Sequence, residues 1–180
     1  MGGQRVVDRL AAVMREALGE PPVLIANDPD AASWKTGLRI ETDVLPGYGA
    51  LGGIHAAVAQ APAPVVAVAW DMPFVNVALV KMLASAMVSG VDAVLPASDS
   101  RRGMEPLCAA YGPACEAAIR RALERGDRRA VAFHAGIAVA LLPLEQVARA
   151  GDPELLFFNI NTAEDLAQAE RQWQRGFSVS

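Results

Sequence analysis

The run Val65-Val66-Ala67-Val68-Ala69-Trp70, bounded by Pro64 and Asp71, constrains this chain more than any other stretch. It is apolar throughout and rich in β-branched side chains, with no polar alternation. Such a strand is buried on both faces, as happens when helices cover both sides of a sheet. The flanking pattern agrees. Val6, Leu10, Val13, Met14 and Leu18 recur at helical steps over about residues 4–18, and Gly19 follows as a stop signal. Pro22–Ala26 and Leu38–Thr42 read as short strands, the second leading into a glycine-bearing segment from Asp43 to Gly53, with Ile54–Gln60 as a helix. Further on, Val75–Ser89 reads as helix, Val91–Pro96 and Pro106–Tyr111 as strands, and Pro113 to about Arg125 as helix. Gly136–Leu142 reads as a strand and Thr162–Arg175 as a closing amphipathic helix. Strands alternating with helices at this spacing predict a single three-layer α/β/α domain around a mostly parallel, Rossmann-like sheet.

Composition narrows the function classes. With 53% hydrophobic and 20% charged residues over 180 positions, and a mean hydropathy of +0.25, the chain is no disordered polymer. No apolar run approaches the ~20 residues a membrane-spanning helix needs. A net charge of −4 gives no global field for nucleic acid or an anionic membrane. An anionic ligand must therefore be held locally. Cys108 and Cys115 are too few for a disulfide framework or a zinc site. They fit reduced thiols in a cytoplasmic protein, and no secretory leader opens the sequence.

In parallel α/β sheets, ligands bind beyond the carboxyl ends of the strands. Asp71 follows the central strand directly, and Pro73 turns the chain toward the next helix. A carboxylate there suits either a Mg²⁺ ligand or a helix N-cap. Between Asp43 and Gly53, glycines at 47, 49, 52 and 53 precede a helix. They suit close backbone approach to an anion or an ordinary flexible loop, and their spacing matches neither the dinucleotide fingerprint nor the P-loop. Asn159 and Asn161 lie on alternate positions and face one side, while Thr162 with Asp165 reads as a capping box. Arg128 and Arg129 close a basic cluster that serves either as an anion grip or as a solvated helix end. His55 and His134 have no neighbours at metal-ligand spacing, and no nucleophile–base set stands out.

In this order, these segments resemble the molybdenum cofactor guanylyltransferases, bacterial enzymes that attach GMP to molybdopterin. The residues carrying the resemblance are Asn27, Asp43 with Gly49-Ala50-Leu51-Gly52-Gly53, Asp71-Met72-Pro73-Phe74, Glu105 to Tyr111, Gly126 to Arg129, and Asn159-Ile160-Asn161-Thr162. The resemblance implies a nucleotidyltransferase-like fold and transfer of GMP from GTP to molybdopterin or molybdenum cofactor, with release of pyrophosphate. It implies Asp71 as catalytic Mg²⁺ ligand, and Asn27, Asp43, Gly49, Gly52 and Asp71 around the nucleotide. Arg128, Arg129, Asn159 and Asn161 are implied on the molybdopterin side. GTP and molybdopterin are the implied partners, with molybdoenzyme-maturation proteins beyond them, and a monomer is expected.

Two departures bear on this. The family usually has Cys where this chain has Trp70, expected here as a packing residue. The family also opens with a strand and a Leu-Ala-Gly-Gly-x-Ser-x-Arg-Met-Gly loop followed by a lysine, whereas Met1 to Val7 match the segment beyond it. The reading is thus one domain over residues 1–180, N-terminally truncated relative to the family and with its first strand missing. Such a loss predicts unpaired strand edges, a void and little turnover. A related cytidylyl or sugar-phosphate nucleotidyltransferase, or a non-catalytic cofactor-binding homologue, are the alternatives.

Overall fold

The computed structural model describes residues 1–177. The chain begins with α1 (Val6–Leu18), β1 (Val23–Ile25), β2 (Arg39–Glu41), α2 (Gly49–Ala59), β3 (Val65–Val68) and α3 (Val77–Ser85). It continues with β4 (Ala93–Pro96), β5 (Cys108–Tyr111), α4 (Cys115–Glu124) and β6 (Val139–Leu142), then two short helices, α5 (Leu144–Val147) and α6 (Pro153–Leu156), and ends in α7 (Ala163–Phe177). Gly19 ends α1 as the sequence predicts. At φ +80° its N–H closes on the Arg15 carbonyl, a backbone state that favours glycine.

The α/β layering is as expected. Along β4 and β5, successive side chains enter opposite halves of the core. Val94, Cys108 and Ala110 join Leu79, Val80 and Leu83 of α3 on one face, with Leu10 and Met14 of α1. Ala93, Leu95, Ala109 and Tyr111 join Ile54 of α2 and Ile119 and Leu123 of α4 on the other. This period-two partition fixes the register, because a one-residue slip would exchange the two faces. Each fully buried Leu contributes about 1.5–3 kcal/mol relative to exposure.

The sheet departs from the expected mostly parallel arrangement in one respect, and in a second it shows the expected open edges and void. First, β5 is antiparallel to both β3 and β4, in the order β3-β5-β4-β6, while β4 and β6 are parallel. Residues 97–107 between β4 and β5 contain no helix, so the chain returns as a hairpin instead of crossing over. Second, the sheet is split. β1 and β2 pair with each other in parallel as a separate two-stranded piece. A cavity of about 850 Å³ lies between β1 and β3, walled by α1 and α2. Strand β3, expected to be covered on both faces, is therefore only half-buried at all four positions, and Val23 of β1 is exposed. No helix among the described residues is long and apolar enough to cross a membrane.

Candidate active site

Three of the residues singled out from the sequence converge at the strand ends. Asn27, just past β1, and Asp43, just past β2, bind each other twice. The Asn27 amide donates to Asp43 Oδ2 at 2.7 Å, and the Asp43 N–H donates to Asn27 Oδ1 at 2.9 Å. Asp43 is thereby held at 8% exposure, with its Oδ1 buried and unpartnered. Asp71, just past β3, borders the same cavity as Asn27, Asp43, Gly49 and Gly53.

The glycine segment is not a loop. Gly49 to Gly53 form the first turns of α2, so the helix begins earlier than its apolar spacing suggested. Sequence reading stops at Ile54 because glycine is a poor helix former. Packing overrides that preference here. A Cβ on Gly52 would lie 2.7 Å from Asp43 Oδ2 and 3.4 Å from the Leu45 carbonyl, so only glycine lets the carboxylate rest on the helix. Gly52 is buried beneath Asp43 and does not itself line the cavity. The helix-capping position, Tyr48, makes no side-chain cap, which leaves the first-turn N–H groups open to an acceptor.

Asp71 is not a helix cap. Asn76 caps α3 by accepting from the Leu79 N–H at 3.0 Å, and Asp71 stands several residues earlier. Its Oδ1 is buried without a partner, and burial raises its carboxyl above the ordinary value near 3.8. An unsatisfied buried carboxylate oxygen is costly, and a bound ion or water is a standard resolution of one. The Asp71 main-chain carbonyl accepts from the Ile160 N–H at 2.9 Å. Asn159 and Asn161 thus flank a residue tied to Asp71, although neither lines the cavity. Asn159 donates to the Phe157 carbonyl at 3.1 Å. Asp165 accepts from the Asn161 and Thr162 N–H groups while its own N–H donates to Thr162 Oγ1, so the capping box holds.

The two arginines separate. Arg129 is engaged by Asp127 at 2.6 and 3.0 Å, an exposed pair that holds the Asp127 carboxyl down at about 2. Arg128 lies 5.5 Å over the Tyr48 ring, which brings its guanidinium beside the start of α2. Trp70, expected to pack, is 62% exposed and borders the cavity. The backbone leaves the strand after Val68, so the apolar run outlasts the sheet position that would have buried it. His55 is buried with Nε2 3.3 Å from Glu116 Oε1, a tie between α2 and α4. Sequence reading passed over Tyr48 and the main-chain link at Ile160, which leave no local pattern. Among the described residues no three His, Cys, Asp or Glu side chains form a metal cage, so a cation here would rest on Asp71 and on ligand oxygens.

A carboxylate past the end of β3, an open helix start and a polar pair at the neighbouring strand ends border one cavity. Comparison with known proteins gives the class, a nucleotidyltransferase. The family described as MobA-like NTP transferase domain matches residues 1–139, and the chain belongs to that family. It is 33% identical over 179 residues to the molybdenum cofactor guanylyltransferase of Desulfosudis oleivorans, covering 98% of this chain and 86% of that one. The crystal structure of molybdopterin-guanine dinucleotide biosynthesis protein A from Archaeoglobus fulgidus superposes with a TM-score of 0.80 at 26% identity, covering 96% of this chain and 87% of that one. A 4-diphosphocytidyl-2C-methyl-D-erythritol synthase from Anaerococcus prevotii shares the fold, with a TM-score of 0.72 at 14% identity over 97% of this chain and 88% of that one.

Proposed function

We propose that this protein is a guanylyltransferase that moves GMP from GTP onto the terminal phosphate of molybdopterin. An acceptor phosphate oxygen attacks the α-phosphorus, the bond from that phosphorus to the bridging oxygen of the β-phosphate breaks, and pyrophosphate carries away the electron pair. This chemistry needs positioning and charge neutralisation more than a covalent nucleophile.

The observation that carries the reading is Asp71, a carboxylate at the end of β3 with one buried, unpartnered oxygen on the same cavity as Asn27 and Asp43. Asp71 is the residue that would hold Mg²⁺, which when bound neutralises phosphate charge and stabilises the leaving oxygen. The chain's own groups do the rest. In this reading the Asn27–Asp43 pair would contact the nucleobase or ribose, and the open amides of α2 would take phosphate. Arg128 adds a fixed positive charge beside that helix start. The Ile160 bond keeps the Asn159–Asn161 segment against Asp71, on the side where the acceptor would approach.

The test compares GTP, CTP and UTP, each with and without Mg²⁺, by thermal shift and calorimetry on the 180-residue protein, alongside Asp71→Asn. GTP is expected to bind tightest, and its Mg²⁺-dependent gain is expected to vanish in the variant. Equal response to all three nucleotides, or an unchanged Mg²⁺ gain in Asp71→Asn, would refute the reading.

A further inference from the structure

The basic turn that follows α4 meets the start of α2 at one side chain, Tyr48. Gly126 closes α4 at φ +74°, with its N–H donating to the Leu123 carbonyl at 2.8 Å and the Asp127 N–H donating to the Ala122 carbonyl at 3.0 Å. The Asp127 carboxylate accepts from the Arg129 main-chain N–H at 3.1 Å as well as from its guanidinium, which folds the turn back on itself. Arg128, between them, has no carboxylate partner among the described residues, and its guanidinium lies 5.5 Å over the Tyr48 ring. Tyr48 is half-buried and packs against the apolar cluster that includes Leu51 of α2 and Ile119 and Leu123 of α4. The ring is thus a fixed platform and the arginine is a flexible chain laid on it. Serine or aspartate at this position would cap α2 and satisfy its first-turn amides. Tyrosine leaves those amides open and brings a cation beside them.

We infer that Tyr48 is a positioning residue: its ring holds Arg128 at the start of α2, ordered in advance for a polyphosphate chain. The inference rests on the guanylyltransferase reading for the identity of that anion. A guanidinium stacked on a ring keeps its in-plane N–H groups free to donate, so the contact need not break when phosphate binds. An unrestrained arginine loses side-chain freedom on gripping an anion, and restraint beforehand removes part of that loss. Exposed cation–π contacts shift a population by about two- to fivefold, which is the size of effect expected. Tyr48 does not act by holding α2 in place. The far end of α2 is separately tied to α4, through His55 Nε2 and Glu116 Oε1 at 3.3 Å, and Leu51 and Ile54 are buried.

The test measures Kd by calorimetry for inorganic tripolyphosphate and for GTP, CTP and UTP, all with Mg²⁺. It uses the 180-residue wild type, Tyr48→Phe, Tyr48→Leu, Arg128→Ala and the Tyr48→Leu, Arg128→Ala double variant. Tyr48→Leu is expected to weaken tripolyphosphate binding by about two- to fivefold, and Tyr48→Phe, which keeps a ring face, by less than about twofold. In the Arg128→Ala background the leucine change is expected to add nothing, whereas a purely structural role would cost the same in both backgrounds. By NMR, the Arg128 side-chain protons are expected upfield in wild type and Tyr48→Phe, to stay there as tripolyphosphate is added, and to return to ordinary values in Tyr48→Leu. Should Tyr48→Leu not fold, the wild-type shift and its persistence on binding still decide. The proposal is overturned by the absence of that shift, by its loss on binding, by equal leucine effects in the two backgrounds, or by a wild type that does not bind tripolyphosphate. Expected results with tripolyphosphate but no preference for GTP over CTP and UTP would sink the guanylyl reading and leave the role of Tyr48 standing.

Discussion

The Ile160 N–H donates to the Asp71 carbonyl at 2.9 Å, joining the end of β3 to the segment that leads into α7. The bond fixes the main chain of Asp71 from outside its own strand and leaves the carboxylate free of capping duty. A carboxylate held half-buried with one oxygen unpartnered is a strained arrangement for the fold and a useful one for cation binding.

Asp71→Asn should therefore stabilise the protein near neutral pH. Burial raises the Asp71 carboxyl above its ordinary value near 3.8, so the unfolded chain ionises first as pH rises and the folded state then loses stability. The penalty is complete above the raised value and absent below about pH 3.8. Thermal midpoints measured from pH 3 to pH 8 should show the variant ahead at neutrality and level with wild type in acid. A variant less stable at pH 7 would contradict this account.

Gly52→Ala should displace Asp43. The new Cβ would sit 2.7 Å from Oδ2, and the carboxylate cannot swing aside without breaking its bond to Asn27. A loss of about 1–3 kcal/mol is expected by urea denaturation, with weaker GTP binding. Gly53→Ala meets Asp43 at 4.0 Å, an ordinary contact, and should be close to neutral. Equal effects at the two positions would remove the close-approach explanation.

The paired arginine and the stacked one should behave differently. Arg128→Ala is expected to weaken GTP binding by about tenfold, the worth of one charge-assisted phosphate contact, with less salt dependence than wild type. Arg129 is already neutralised by Asp127, so Arg129→Ala should leave GTP affinity nearly unchanged. Its signature lies elsewhere: the Asp127 carboxyl, held near 2, should return toward the ordinary range in an NMR titration.

Trp70 offers an optical check. It is exposed on the cavity rim next to Asp71, apart from Trp34 and Trp173. GTP added with Mg²⁺ should change tryptophan emission in the wild type and not in Trp70→Phe. A change that persists in the variant would place the nucleotide away from this rim.

Much of the site was legible in the sequence because its residues follow strands. Asn27 and Asp71 stand where an apolar run stops and Asp43 follows the short strand Leu38–Thr42, and strand ends are where an α/β sheet presents ligands. The Thr162–Asp165 box was equally readable, since capping is settled within one turn. The glycine segment was left open between an anion-binding approach and a flexible loop because the partner that requires Gly52 lies on a different element, and Trp70 was misread as packed because nothing local says where a strand leaves its sheet.

The sequence by itself determined the alternation of helices and strands, the layered class of fold and the carboxylate at the end of β3, because periodicity and turn chemistry act over a few residues. Only the tertiary structure decided that β5 runs backward, that Asp43 is buried under Asn27, that Asn76 and not Asp71 caps α3, and that β1 and β3 face each other across a gap. Those outcomes depend on which backbone edges and side chains meet across long separations, and on which atoms then find no partner.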